Sequence, residues 1–431
     1  MQPSAPQQFL TVHGKSRRAA FLAIIAIIAA AGAEQGVTQG TLARMLPSMG
    51  VREAAGGLLL MTFSMGIVLA SFSTALIIRT LGDRKVMALG AGFAAAAWVA
   101  HAAFRSYGVG LPLFFLAGLG HGAMLAGATS AASESAGDGG SAKSEAEITR
   151  RRGRRISLVQ AFYMIGLSAG ALFGGYSGEV NRLLPGGIFA ESSGWAVAFL
   201  VSAAFSAAAA LFRIASPEGG ADAVEPARPG ETAATPFRFG VLVEVARVPG
   251  VLLIVLILFL DICCEAGLGA WLSPHLQKTW AAAPPLAGWA VSLNYAGIAG
   301  GRLLFGCWSP RITLPRALLA AAIACSALTG LLAFVPPHLS LLIAALLGVA
   351  IALIVPYGLA IIRERCPNAL AGAATSAALG VACLGSLALP AVMGAVAQWT
   401  GSFKAAMLIP AALFAGVVAL AAVYISGRRR I

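Results

Sequence analysis

Residues 252–271 read LLIVLILFLDICCEAGLGAW, an apolar run of membrane length with two carboxylates, Asp261 and Glu265, set inside it. A bilayer core needs about 20 apolar residues to cross as a helix. A charged side chain at that depth costs at least about 2.5–3.5 kcal/mol, so it normally faces a cavity or a partner. Four residues apart, the two acids share one face of a helix, about one turn from each other. The stretch therefore predicts a helical membrane protein with a polar pathway. The alternative at this position is a structural pair that bonds neighbouring helices.

The whole chain agrees. Of 431 residues 58% are hydrophobic and only 11% charged, and mean hydropathy is +0.84. Soluble domains carry about 25% charged residues, so this is an integral membrane protein. A net charge of +13 would suggest nucleic acid in a soluble protein; here its distribution explains it as a topology signal, and no nucleic-acid partner is expected. Six cysteines, Cys263, Cys264, Cys307, Cys325, Cys366 and Cys383, show no CxxC spacing. Five lie in or at the ends of apolar runs, so neither a disulfide framework nor a metal site is expected. No zinc motif, P-loop or GxSxG occurs, which argues against an enzyme and leaves no cofactor to be expected.

Twelve apolar stretches are long enough to cross, near 19–43, 54–78, 86–104, 110–133, 156–178, 194–214, 249–273, 285–308, 317–335, 339–362, 370–396 and 403–426. Ala31-Gly32-Ala33 behind a basic, apolar leader has the small-residue pattern of a signal-peptidase site. Cleavage there would leave an odd number of spans, so the first stretch is kept as a span. With the amino terminus in the cytoplasm, cytoplasmic segments hold 23 Lys and Arg residues and outer segments 6. That is a strong positive-inside bias, with both termini cytoplasmic.

The expected organisation is a tail at 1–18, a six-helix bundle at 19–214, a cytoplasmic linker at 215–248, a second six-helix bundle at 249–426 and a tail at 427–431. The linker is rich in Pro, Gly, Ala and Glu without apolar periodicity. Residues 134–155 read as a Ser/Gly-rich cytoplasmic loop ending in RRRGRR. That basic run acts as an orientation signal or a contact for anionic membrane lipids. The halves echo each other: Ala33-Glu34-Gln35-Gly36 parallels Cys264-Glu265-Ala266-Gly267 at an offset of 231, and the same offset aligns Gly66-Ile67 with Gly297-Ile298. Two halves related by an axis along the membrane normal would bring Glu34 and Glu265 to their interface from opposite sides.

The candidate site residues follow from position and chemistry. Burial disfavours the charged form of a carboxylate, so acids at bilayer depth suit proton uptake near neutral pH. Glu34, Asp261 and Glu265 are the candidates for proton coupling, with Asp261 and Glu265 placed to share one proton. His121 is a candidate relay, or else a helix contact between Gly120 and Gly122; Glu34 has the alternative of a helix contact with Gln35 or Gln39. Gln35, Trp271, Asn294 and Tyr295 are candidates for solute binding through amides, a hydroxyl and ring stacking, Trp271 having the alternative of an interfacial anchor. Gly166, Gly170 and Gly174, at helical spacing in the fifth span, predict a close helix–helix contact.

Twelve spans, a central linker and a duplicated half resemble the major facilitator superfamily of secondary transporters. The loop Leu81-Gly82-Asp83-Arg84-Lys85 is similar to that family's loop motif, though Arg79 stands at its first glycine and Val86-Met87 at its later Gly-Arg. An acid beside basic side chains at two helix ends makes a breakable latch, so Asp83 and Arg84, with Arg302 at the inner end of the eighth span, are candidate cytoplasmic gate residues. The corresponding Ser309-Pro310-Arg311 lacks the Asp-Arg pair. Glu265-x-Gly267-x-Gly269-x-Trp271 and Tyr295-x-Gly297-x-x-x-Gly301-Arg302-x-x-x-Gly306, with Pro356, Pro390 and Gly394, resemble the fucose permease-type (fucose–galactose–H+ symporter) branch. That resemblance implies sugar–proton symport coupled through acids of the first and fourth spans. Glu34 fits the first; the fourth offers His121 at mid-span and Glu134 only at its end.

The expectation is a monomeric secondary transporter, carrying a small-molecule substrate such as a monosaccharide together with protons by alternating access. A proton-driven efflux antiporter for a drug or metabolite would use the same acids. A non-transporting sensor or scaffold is the rival from another class, and retained intramembrane acids argue against it. The Ala/Gly/Arg-rich composition suggests a high-GC bacterium, hence its inner membrane.

Overall fold

A computed structural model describes residues 5–134, 145–184, 187–216, 244, 247–307 and 313–428. In chain order its helices are α1 (Ala5–Ser48), α2 (Glu53–Phe104), α3 (Tyr107–Glu134), α4 (Glu145–Leu183), α5 (Ala196–Ala215), α6 (Val251–Trp280), α7 (Pro284–Cys307), α8 (Leu314–Leu332), α9 (Pro337–Arg365), α10 (Asn368–Cys383), α11 (Gly385–Thr400) and α12 (Phe403–Arg428). Within a bilayer every backbone polar group must be satisfied inside its own segment, which is why uninterrupted apolar sequence becomes helix. Eleven stretches among the described residues are long and apolar enough to cross a membrane. They coincide with eleven of the twelve predicted runs, and α7 occupies the twelfth. The outer faces carry exposed Leu22, Leu211, Leu252, Leu304 and Trp399, as a lipid-facing surface requires.

Three elements depart from the sequence expectation. The second and third spans form one helix with a single break at Gly82, whose φ of 77° and ψ of 155° suit a residue without Cβ. The eleventh span is two helices meeting at Leu384, with Pro390 inside the second. The basic run at 150–155 belongs to the start of α4 rather than to a loop. Most of the linker, Ser309-Pro310-Arg311 and Arg429 to Arg430 lie outside the described residues.

Helices α1–α5 pack as one bundle and α6–α12 as another, and the bundles meet chiefly where α4 lies on α7, α2 on α11 and α1 on α6. Small residues make the closest approaches. A methyl group on Gly32 or Gly36 of α1 would overlap the backbone of α4 at Tyr163 or Leu167, and one on Gly166 or Gly170 would overlap α1 at Ala29 or Ala33. The predicted glycine face of the fifth span is thus half of an interlocked pair.

The two bundles touch at one end of the molecule and part toward the other. At the touching end the Ala54 amide donates to Gln398 Oε1 at 3.1 Å, Gly57 abuts Pro390 and Ala391, and Gly175 abuts Pro284 and Gly288. The Ser168 and Ser292 hydroxyls then bridge α4 and α7 at 2.8 Å. Further along, Met65, Leu69 and Phe72 of α2 are exposed, and α10 packs against α6, α9 and α11 of its own bundle. A wedge-shaped space therefore lies between the bundles.

Candidate functional site

The first wall of this wedge is built by α1, α3, α4 and α5. Glu34 of α1 is wholly buried and its Oε1 accepts a hydrogen bond from Ser206 of α5. Its Oε2 lies 3.9 Å from Nδ1 of His121 on α3, which is equally buried. His121 Nε2 is 3.1 Å from the Tyr163 hydroxyl on α4, and that hydroxyl donates to Gln35 Oε1 at 2.5 Å. Phe63 closes over the imidazole, ring centroids 5.3 Å apart.

The donor order along this chain fixes where a proton can sit. The Tyr163 proton is committed to Gln35, so His121 Nε2 must donate to the Tyr163 oxygen. Nδ1 of a neutral ring is then an acceptor, and it faces Glu34 Oε2; neither atom has a hydrogen-bond partner. A proton on Glu34 Oε2 would face that acceptor across 3.9 Å, inside a pair sealed from solvent. Tyr163 and Gln35 are half-buried, so they link a sealed pair to the space between the bundles.

The second wall is built by α6, α7 and α10. Asp261 is wholly buried, with neither oxygen hydrogen-bonded, and lies within electrostatic reach of Glu265, Arg302 and the thiols of Cys263, Cys264 and Cys325. Glu265 and Arg302 are half-buried and also feel each other. Tyr163 from the opposite wall lies within electrostatic reach of Glu265, Arg302, Tyr295 and Cys383, so these side chains border one space. Cys383, exposed at the α10–α11 break, belongs to the same wall. The Tyr295 hydroxyl and the Gln39 amide converge beside Gly269, joining α7 to α1.

The remaining candidates sit elsewhere. Asn294 Nδ2 donates to the Ala344 carbonyl at 3.1 Å, a contact between α7 and α9. Trp271 is wholly buried at the touching end, where Nε1 donates to the Pro390 carbonyl at 2.8 Å. Asp83 is buried beside the Gly82 break, and the Arg84 guanidinium reaches the Ile214 carbonyl at the end of α5. Arg302 is not with them: it stands among the acids of α6. Sequence reasoning passed over Tyr163, Ser206 and Cys383. A hydroxyl three residues before the Gly166 face was the available signal for Tyr163.

An all-helical membrane protein of two packed bundles, with a polar seam between them and charged side chains from both, has the architecture of a transporter rather than an enzyme. The sequence matches the model of the Major Facilitator Superfamily over residues 19–274 and 254–430, and the chain belongs to that superfamily. Its substrate is accordingly a small molecule. Among solved structures it is similar to the nucleoside transporter NupG (TM-score 0.72, 14% identity, 94% of this chain and 98% of that one). It is similar also to a bacterial homologue of the human lysosomal transporter Spinster in an inward-facing, unoccupied conformation (0.70, 16%, 96% and 97%). A third is the E. coli fucose:proton symporter FucP (0.58, 17%, 94% and 98%). No curated protein matches the sequence.

Proposed function

We propose that this protein is a proton-coupled symporter that imports a small polar solute by rocking its two bundles about the space between them. The observation that carries this reading is the buried Glu34–His121 pair, which can hold a proton out of solvent and connects through Tyr163 to that space. A group whose protonation differs between the two access states is what coupling requires. Glu265 and Asp261 across the wedge supply acids on the other bundle, and Tyr163 senses the nearer of them. The charge distribution of 23 against 6 basic residues supports placing the parted end in the cytoplasm, which makes this conformation inward-facing. The resemblance to the fucose permease branch supports a sugar-like cargo, and a bacterial inner membrane is the setting.

Substrate-evoked proton movement in proteoliposomes, followed with a pH-sensitive dye across sugars, sugar acids and organic acids, tests the reading. Co-directional proton entry that is lost in Glu34→Gln and Glu265→Gln supports it. Proton flow opposite to the solute indicates an antiporter, and solute flux without protons removes the coupling assignment.

A further inference from the structure

Glu265 and Arg302 carry opposite charges, lie within electrostatic reach, and are both half-buried on the same wall. Yet neither forms an ion pair within 4.0 Å or a hydrogen bond with any described residue. Nε of Arg302 is closed off from solvent and has no acceptor. Oppositely charged groups that face a common space without closing on each other are usually bridged. The Tyr163 hydroxyl stands opposite, and Tyr295 lies two turns before Arg302 on α7.

We propose that Arg302 is the substrate-anchoring residue and that the cargo is a small carboxylate bearing a hydroxyl or ammonium donor, its carboxylate on Arg302 and its donor on Glu265. The inference rests on the wedge being the solute pathway and names what enters it. A guanidinium offers five N–H donors in a planar fork and no acceptor, which matches a carboxylate two bonds at a time. A neutral polyol would satisfy some of those donors but offers no planar pair of acceptor oxygens to match the fork. The donor on the solute serves the carboxylate of Glu265, so one molecule meets both members of the unclosed charge pair. Lys at this position keeps the charge but not the fork.

Binding to the purified full-length protein, measured by thermal shift and by tryptophan fluorescence without any proton gradient, separates this from the coupling reading. Solutes are offered in pairs that differ by the carboxylate: glucuronate and glucose, lactate and 1,2-propanediol, serine and serinol. The expected result is a response to carboxylate members alone, affinity weakened about tenfold or more in Arg302→Gln, and an intermediate value in Arg302→Lys. The matched charge removal Arg363→Gln, at an exposed position of α9, should leave binding as in the unsubstituted protein. Equal response to both members of a pair, binding undiminished in Arg302→Gln, or no response to any carboxylate by protein with a cooperative melting transition each overturn the proposal.

Discussion

Glu34 Oε2 and His121 Nδ1 face each other across 3.9 Å, with both side chains wholly out of solvent. They come from α1 and α3, separated by 87 positions in sequence numbering, and no other ionisable side chain makes an ion pair with either among the described residues. In the proposed coupling, a proton on this pair is the mobile charge inside one bundle. Its loss or gain alters what Tyr163, and through it the wedge, experiences.

Glu34→Gln removes that proton site while keeping the Ser206 contact, because an amide oxygen still accepts. Exchange of labelled solute between equal pools should persist, since it needs no net proton movement. Accumulation driven by a pH gradient should fall about 5–150-fold, the range of a typical coupling free energy. His121→Gln should share the phenotype; normal accumulation by that variant would show that the pair does not act as a unit.

Tyr163→Phe keeps the ring but strips the hydroxyl that joins His121 to Gln35. Both of those polar groups lose a partner, at a cost of roughly 1–3 kcal/mol, so the melting temperature should drop without loss of fold. The sharper readout is coupling: gradient-driven accumulation should fall while exchange continues. A variant that is merely less stable, with the ratio of accumulation to exchange unchanged, would make Tyr163 a packing residue only.

The fold was legible in sequence because hydropathy reports a bilayer directly: runs such as 252–271 must be helical, and every run is helical here, the eleventh as two helices. The internal repeat predicts Glu34 and Glu265 at one interface, yet Glu34 is sealed inside its own bundle against His121 and Ser206, while Glu265 is half-buried. Partnerships across helices could not be read. Nothing local to Tyr163 says that it meets His121, and nothing near Arg302 says that it leaves the Asp83–Arg84 latch for Asp261. Both depend on rotation of helices about their axes, which small-residue packing decides. The break at Leu384 was equally hidden, because Ala- and Gly-rich sequence carries no strong stop signal.

The interlocked glycines give a stability test. A methyl group on Gly170 would already overlap the Ala33 backbone, so Gly170→Val must push α1 and α4 apart. Overpacking of this kind costs roughly 1–3 kcal/mol, and it would also disturb Glu34 and Gln35, which follow Ala33. Lower melting temperature and weakened coupling should appear together. Gly372→Ala, on α10 where an added Cβ meets nothing within 4 Å, is the matched control and should change neither.

Ser168 and Ser292 bridge the bundles at 2.8 Å between hydroxyl oxygens, near enough for Ser168→Cys with Ser292→Cys to close a disulfide after small side-chain adjustment. Cys383→Ser belongs in the same protein, because Cys383 is an exposed thiol able to mispair. If the bundles rock apart at this level to open the touching end, oxidation should trap one access state, abolish transport, and leave solute binding from the parted end intact. Reduction should restore the rate. In the unsubstituted protein Cys383 reports on the same motion: in the conformation described here maleimide should label it faster than the buried Cys263, Cys264 and Cys325. An oxidised double variant that still transports at the reduced rate would show that α4 and α7 stay together throughout the cycle. The opening would then have to be made by α2 and α11 alone.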